Sequence, residues 1–196
     1  RYSRYVVDLN RPPDDVSLYP GQNTTGLCPT VRFSGEPVYR HGEEPDAIEI
    51  AQRVETYWRP YHEALRGELE RLREQHARVL LWEGHSIRGE LPFLFDGRLP
   101  DLNLGTASGA SCDASVQARI ETALQAQTAY DWVVNGRFKG GYITRHYGAP
   151  DRGIDAVQLE IAQRIYMDEA SARWRDDLAA AASDAIRGLM VAALSA

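Results

Sequence analysis

A short apolar run that ends abruptly at a glycine limits most strongly what this chain can fold into. The run Val79–Trp82 stops just before Gly84, and His85 follows at once. It is too short for a helix and predicts a buried strand over residues 79–83. In open α/β sheets, ligands bind beyond the carboxyl ends of the strands. We therefore expect His85 to face a crevice, where it can bind a metal, move a proton or only cap the strand.

Strand and helix patterns alternate along the rest of the chain. Apolar runs predict further strands over residues 5–9, 130–134 and 156–161, and an edge strand or loop over 142–147. Apolar spacings of three and four predict three helices, which begin at Pro45 or span about 114–127 and about 171–194. Pro60 should kink or break the first of these helices. In the last helix, the predicted core residues are Trp174, Leu178, Ile186, Leu189 and Val191. This alternation is typical of an α/β fold, and we expect a three-layer sandwich with a mixed, mostly parallel sheet.

Composition narrows the class of protein. The chain has 196 residues, of which 43% are hydrophobic and 26% charged, as in an ordinary globular protein with a single domain over residues 1–196. Its net charge of −6 excludes a broad basic surface for nucleic acid, and no window is apolar enough for a membrane span. The only two cysteines, Cys28 and Cys112, match neither a disulfide framework nor a zinc finger, so we expect free thiols and a cytoplasmic location.

Glu160 is the most unusual acidic residue, because it lies inside an otherwise apolar strand pattern. Burial of this carboxylate would raise its pKa toward that of a general base. Alternatively, the strand lies at an edge of the sheet and exposes a polar face that contains Gln158 and Glu160. The sequence pattern alone leaves both interpretations open.

Four arginines lie in or next to loops that contain glycine or proline, namely Arg11, Arg88, Arg137 and Arg145. Arginine binds carboxylates with a rigid two-pronged fork, so several of them near strand ends indicate a small anionic substrate. Taken singly, each of them is more simply explained as a surface or ion-pair residue. The motifs of serine hydrolases, phosphate-loop proteins and dinucleotide-binding proteins are absent from the sequence.

Taken together, several segments resemble the N-formylglutamate amidohydrolase family, which is related to zinc carboxypeptidases and to aspartoacylase. The matching segments, in chain order, are Ser3–Pro12, Ser17–Gln22, Gly84–Ile87, Leu94–Gly97, Pro100–Thr106, Asn135–Gly141, Thr144–Gly148 and Gln158–Glu160. Each segment is modest alone, but their common order is specific. The resemblance covers roughly residues 1 to 170 and implies a zinc-carboxypeptidase-like fold.

The resemblance also implies roles for individual residues. His85 would be a zinc ligand, and Glu160 would be the general base that activates water. Asn10 and Arg11 would bind one substrate carboxylate, with Arg88, Arg137 and Arg145 as weaker candidates for a second. The implied reaction is zinc-dependent cleavage of N-formyl-L-glutamate, a small dicarboxylate, to formate and L-glutamate in histidine degradation.

One departure from the family pattern limits this expectation. The other two zinc ligands of the family, a His and an acidic residue, would lie before the Asn10–Arg11 motif, and they are not in this sequence. We therefore expect a zinc-hydrolase-like domain that lacks its N-terminal part and is inactive by itself. The alternatives are a related N-acyl amino acid amidohydrolase or carboxypeptidase and a non-catalytic anion-binding domain. The sequence does not determine the oligomeric state.

Overall fold

The computed structural model describes residues 2–195, and its centre is a four-stranded sheet. The strands are β1 (Val79–Ile87), β2 (Leu102–Gly105), β3 (Trp132–Val134) and β4 (Ile154–Ala162), in the spatial order β1-β4-β2-β3. β1 pairs parallel with β4 and β2 pairs parallel with β3, whereas β2 runs antiparallel to β4. The predicted mixed, mostly parallel sheet is thus confirmed.

Five helices flank the sheet, and several begin where the sequence places a capping residue. They are α1 (Ala47–Arg53), α2 (Arg59–Gln75), α3 (Ala114–Ala126), α4 (Tyr142–Tyr147) and α5 (Asp176–Leu194). The side chains of Asp46 and Asp113 accept hydrogen bonds from backbone N–H groups in the first turns of α1 and α3, which stabilises these helix starts. A small hairpin of β5 (Met167–Asp168) and β6 (Arg173–Trp174) precedes α5.

Apolar packing on both faces of the sheet produces the three layers. On one face, Leu102, Leu104, Val157 and Leu159 of the sheet pack against α3 and α5 in the largest buried cluster. On the other face, residues of α2 and α4 pack against the start of β1 in a separate cluster. The α/β sandwich predicted from the sequence is therefore the observed architecture.

A π-helical turn over Val54–Trp58 joins α1 to α2 just before Pro60. Proline has no N–H to donate to the carbonyl four residues earlier, so a regular α-helix cannot continue through this point. The helix is wider at this turn, because the N–H of Arg59 donates to the carbonyl of Val54, five residues earlier. The regular α-helix is thus interrupted just before Pro60, by a change of winding, and Pro60 itself lies in the first turn of α2.

Two local predictions are wrong. Residues 5–9 form turns rather than a strand, because Val7 packs into an apolar cluster with Val54 and Trp58 instead of pairing with the sheet. Residues 142–147 form the helix α4 rather than an edge strand or loop. Ile143, Thr144 and Tyr147 are buried there, and this spacing fits one face of a helix rather than the alternation of a strand.

The predicted core of the last helix is partly wrong. Leu189 is buried, but Val191 is largely exposed, and Trp174 lies in the exposed strand β6 before the helix begins. Among residues 2–195, no helix combines the length and the apolar character that crossing a membrane requires. Both cysteines are buried free thiols, as predicted.

Candidate active site

A cavity of about 260 Å³ opens beside the carboxyl ends of the two parallel strands β1 and β4. Its polar lining comes from these two strands, from the Asp8–Arg11 turn and from loops on either side. The polar lining residues are Arg4, Asp8, Asn10, Arg11, Tyr19, Gln22, Asn23, Thr24, Thr25, His85, Ser86, Arg137, Gln158 and Glu160. Of the seven residues expected to form a site, this cavity brings together Asn10, Arg11, His85, Arg137 and Glu160.

Glu160 lies on a central strand, so the alternative of an exposed edge strand is wrong. β4 is flanked by β1 and β2, and Glu160 stands in register with His85 on one side and Asn103 on the other. Only 8% of its surface is exposed. Burial raises the pKa of Glu160 to about 7, although the positive potential of His85, Arg4 and Arg11 opposes the shift. A carboxyl with this pKa can both accept and return a proton near neutral pH.

His85 lies within β1 rather than after it, because the strand continues through Gly84 to Ile87. The Nε2 atom of His85 is 2.9 Å from Oε1 of Glu83, and the N–H of the ring donates to that carboxylate. Burial alone lowers the pKa of His85, but the hydrogen bond and charge of Glu83, helped by Glu160 and Asp8, raise it above the ordinary value. His85 is thus held on a rigid element beside Glu160.

The Asp8–Arg11 turn presents two side chains to the cavity in fixed positions. The side-chain oxygen of Asn10 accepts from the N–H of Ile143 at 2.9 Å, and its amide nitrogen lies 3.3 Å from both Glu83 Oε2 and His85 Nε2. Arg11 donates from Nε to the carbonyl of Thr25 at 2.8 Å and from Nη1 to that of Asn10 at 3.2 Å. Burial lowers the pKa of Arg11, with Asp8 opposing the shift.

Arg137 closes the opposite side of the cavity. Its two terminal nitrogens donate to the side chain of Gln22 at 2.8 Å and to the carbonyl of Asn23 at 2.9 Å, which ties the long loop after Pro12 to the loop after β3. Its guanidinium lies over the rings of Phe95 and Phe138. The Nε atom is buried and has no hydrogen-bond partner within the described part of the chain.

The other two candidate arginines do not line the cavity. Arg88 is exposed and donates to the carbonyl of Glu169. Arg145 donates from Nε to the carbonyl of Gly140 at 2.8 Å and lies over the ring of Tyr19, so it supports the cavity wall from outside. As the structure stands, neither reaches a ligand in this cavity.

Sequence reasoning missed two charged residues that line the cavity, Arg4 and Asp8. Arg4 is paired with Asp8 and also donates to the hydroxyl of Thr25 at 3.2 Å, and Asp8 accepts from the N–H of Asn10 at 3.0 Å. Their spacing of four residues is a signal for an ion pair, but the apolar residues between them favour a strand instead. Gln158, noted only for sharing a face with Glu160, accepts from the N–H of Gly141 at 2.7 Å.

The described residues do not form a metal site by themselves. Within residues 2–195, no group of three or more His, Cys, Asp or Glu side chains is arranged to hold a metal ion. A catalytic zinc needs three protein ligands and an open position, and the contact between His85 and Glu83 supplies at most two ligands. The role of His85 as a zinc ligand therefore stays a prediction.

Comparison with known proteins matches almost the whole chain. An N-formylglutamate deformylase of Pseudomonas putida is 52% identical over 195 residues, and one of Pseudomonas aeruginosa is 53% identical over the same length; each alignment covers 99% of this chain and 73% of the relative. The crystal structure of an N-formylglutamate amidohydrolase from Ralstonia eutropha JMP134 shares the fold, with a TM-score of 0.76 at 23% identity over 98% of this chain and 72% of that one.

The family assignment follows from these matches. The sequence model of the N-formylglutamate amidohydrolase family matches residues 1–167, which include the whole candidate site. The segments that carried the resemblance at the level of sequence therefore fall within the matched region. The chain belongs to the N-formylglutamate amidohydrolase family.

Proposed function

We propose that this protein hydrolyses N-formyl-L-glutamate to formate and L-glutamate. The observation that carries the proposal is a pair of guanidinium groups, those of Arg11 and Arg137, which line one cavity without a carboxylate partner. Within residues 2–195 neither forms an ion pair; both donate only to neutral oxygens. Partly desolvated cations of this kind are stabilised by an anionic ligand, and two of them match a dicarboxylate.

The size of the cavity supports a small substrate. Sites for drug-sized ligands occupy roughly 300–1,000 Å³, and this cavity of about 260 Å³ lies just below that range. A single amino-acid derivative with a one-carbon acyl group fits such a volume better than a peptide. The apolar side chains of Phe33, Leu94 and Phe138 complete the wall, where the methylene groups of glutamate can pack.

The chemistry assigned to this chain needs a base, a fixed amide and a proton for the leaving amine. Glu160 would take a proton from the attacking water as the new C–O bond forms on the formyl carbon. It would then return a proton to the nitrogen as the C–N bond breaks, which releases formate and L-glutamate. Asn10 and Arg11 would hold one carboxylate, so that the amide lies beside Glu160.

Three finer points of the proposal come from the family resemblance. His85 would be one ligand of a catalytic zinc, although within residues 2–195 no group of three His, Cys, Asp or Glu side chains is arranged to hold the ion. The reaction would belong to histidine degradation and take place in the cytoplasm. Metal analysis of the purified intact protein tests the first point, since a His85→Ala variant should then retain markedly less zinc than the unmodified protein.

Substrate comparison tests the proposed activity. N-formyl-L-glutamate, N-formyl-L-glutamine and N-acetyl-L-glutamate are offered separately, and release of the free amine is measured. We expect the first to be preferred, with loss of the γ-carboxylate costing about 2 kcal/mol or more of transition-state binding. No release from any of the three would overturn the proposal in favour of an anion-binding domain, and preference for the acetyl compound would favour a different amidohydrolase.

An arginine variant tests the role of the unpaired cation. Arg11→Ala should raise KM for N-formyl-L-glutamate by about 100-fold, because an ion pair with a charged partner is lost in a site shielded from water. Arg88→Ala is the matched control, since that arginine is exposed and outside the cavity. Equal effects of the two substitutions would contradict the assignment of Arg11.

A further inference from the structure

Three consecutive backbone carbonyls in the turn that carries Asn10 and Arg11 are each bound by a donor from a neighbouring helical segment. The carbonyl of Leu9 lies 2.9 Å from Nε2 of His62, and that of Arg11 accepts from Nε1 of Trp58 at 2.9 Å. The carbonyl between them, that of Asn10, accepts from the N–H of Tyr142 at 3.2 Å. This stretch has no regular secondary structure, so these bonds fix its path.

The two side-chain donors form one rigid unit. The rings of Trp58 and His62 stack with their centroids 3.8 Å apart, and both residues are less than 10% exposed. The hydroxyl of Tyr147 lies 2.8 Å from Nδ1 of His62. A carbonyl can only accept, so Nε2 of His62 carries the proton toward Leu9. The hydroxyl of Tyr147 has two acceptors within reach, Nδ1 of the neutral ring and the backbone carbonyl of His62 at 3.0 Å. Both ring nitrogens of His62 and the indole N–H of Trp58 are therefore hydrogen-bonded within the protein.

The π-helical turn accounts for the position of this unit. Trp58 ends the wide turn Val54–Trp58, and His62 lies four residues further on the same face of α2. One extra residue in a helical turn rotates the preceding part of the helix by about 100° relative to the part after it. π-helical turns are frequent at functional sites, and this one lies against the turn that presents the proposed substrate-binding pair.

We propose that Trp58 and His62 are positioning residues for substrate, which act by holding the carbonyls on either side of Asn10 so that Asn10 and Arg11 meet the carboxylate in a fixed geometry. Neither residue lines the cavity, so both act through the turn. The inference rests on the proposed function, because its readout is binding of N-formyl-L-glutamate. The proposal adds Trp58, from the π-helical turn, and His62, from α2, to a site otherwise built from strands and loops.

Removing single N–H groups in the intact protein tests the proposal. Trp58→Phe keeps the ring but loses its donor, and should raise KM about 10-fold while kcat stays within about threefold, as for a small misplacement of a binding group. Trp174→Phe is the matched control. It removes an indole N–H of the exposed hairpin that donates to Asp176 at the start of α5, and should leave KM unchanged. In an Arg11→Ala background, Trp58→Phe should change KM by less than about twofold.

Variants of His62 decide the matter if Trp58→Phe does not fold. His62→Gln can still donate to Leu9 and accept from Tyr147, so it should keep KM near that of the unmodified protein, whereas His62→Leu should raise it. An unchanged KM in Trp58→Phe or in His62→Leu, or an equal effect of Trp58→Phe with and without Arg11, would overturn the proposal. Failure of the unmodified protein to cleave N-formyl-L-glutamate would instead overturn the proposed function.

Discussion

Replacing Glu160 by glutamine should remove activity and at the same time stabilise the fold at alkaline pH. The pKa of this buried carboxyl is about 7, against 4.5 for an unperturbed glutamate. The unfolded chain thus releases this proton at lower pH than the folded chain does. Between these two values the folded state binds more protons, so the free energy of unfolding falls as the pH rises from 4.5 to 7 and is then constant.

The size of this effect follows from the same shift. One pKa unit corresponds to about 1.4 kcal/mol, so ionised Glu160 costs the metal-free fold about 3 kcal/mol above pH 7. Glutamine is neutral in both states and removes that cost. Its new amide N–H groups need partners in a buried site, which offsets about 1 kcal/mol. The expected net gain is about 2 kcal/mol at pH 8.5, and no gain at pH 4.5.

Urea unfolding of the two proteins at pH 4.5 and 8.5, in the presence of a chelator, measures this difference. Glu63→Gln is the control, because Glu63 is exposed on α2 and should show no change at either pH. Turnover of Glu160→Gln should fall by about 100-fold or more, as expected for loss of a general base. A variant that is less stable than the parent at pH 8.5, or equally stabilised at both pH values, would refute the reasoning.

Two further predictions concern the surroundings of the site. A Cβ at Gly141 would overlap the side chain of Asn10, so Gly141→Ala should displace Asn10 and raise KM about 10-fold. Gly67→Ala is the control, because Gly67 lies at an open helix position. This variant should leave KM unchanged and stabilise α2 by about 0.5–1 kcal/mol in a urea titration. Burial lowers the pKa of His62 to about 4, so this residue should reduce the free energy of unfolding progressively as the pH falls from 6.5 to 4. Urea unfolding of His62→Gln should show a smaller loss of stability across this pH range than the parent does. Parallel plots of stability against pH for the two proteins would contradict this.

The sequence was sufficient for the elements that depend on local signals. The apolar runs that became β1 and β4 and the cap at Asp113 are local patterns, and each lies within a few residues of its expected position. Membership of the family could also be recognised, because short polar motifs follow one another in a fixed order. These signals need no knowledge of which residues meet in space.

The wrong predictions concern residues whose structure depends on tertiary contacts, which the local sequence pattern does not reveal. The Val6–Val7 pair looks like a strand, but Val7 is buried against Trp58, and no neighbouring strand pairs with it in the described chain. Residues 142–147 include β-branched and aromatic side chains, which favour a strand, yet they form a helix that buries Ile143, Thr144 and Tyr147 together. The size of Trp174 alone favours a core position, whereas the hairpin exposes it.

The sequence also could not show which of the four candidate arginines reach the cavity, because this depends on tertiary contacts. All four candidates have similar sequence surroundings, and only the fold separates those in the cavity from those outside it. Arg88 and Arg145 donate to backbone carbonyls outside the cavity. Arg11 and Arg137 are partly desolvated in the same cavity as Glu160, whose negative form is itself disfavoured by burial. A dianionic substrate would neutralise both cations. Because the positive charge of Arg11 lowers the pKa of Glu160, substrate binding should raise this pKa and make the ionised carboxylate a stronger base toward the attacking water.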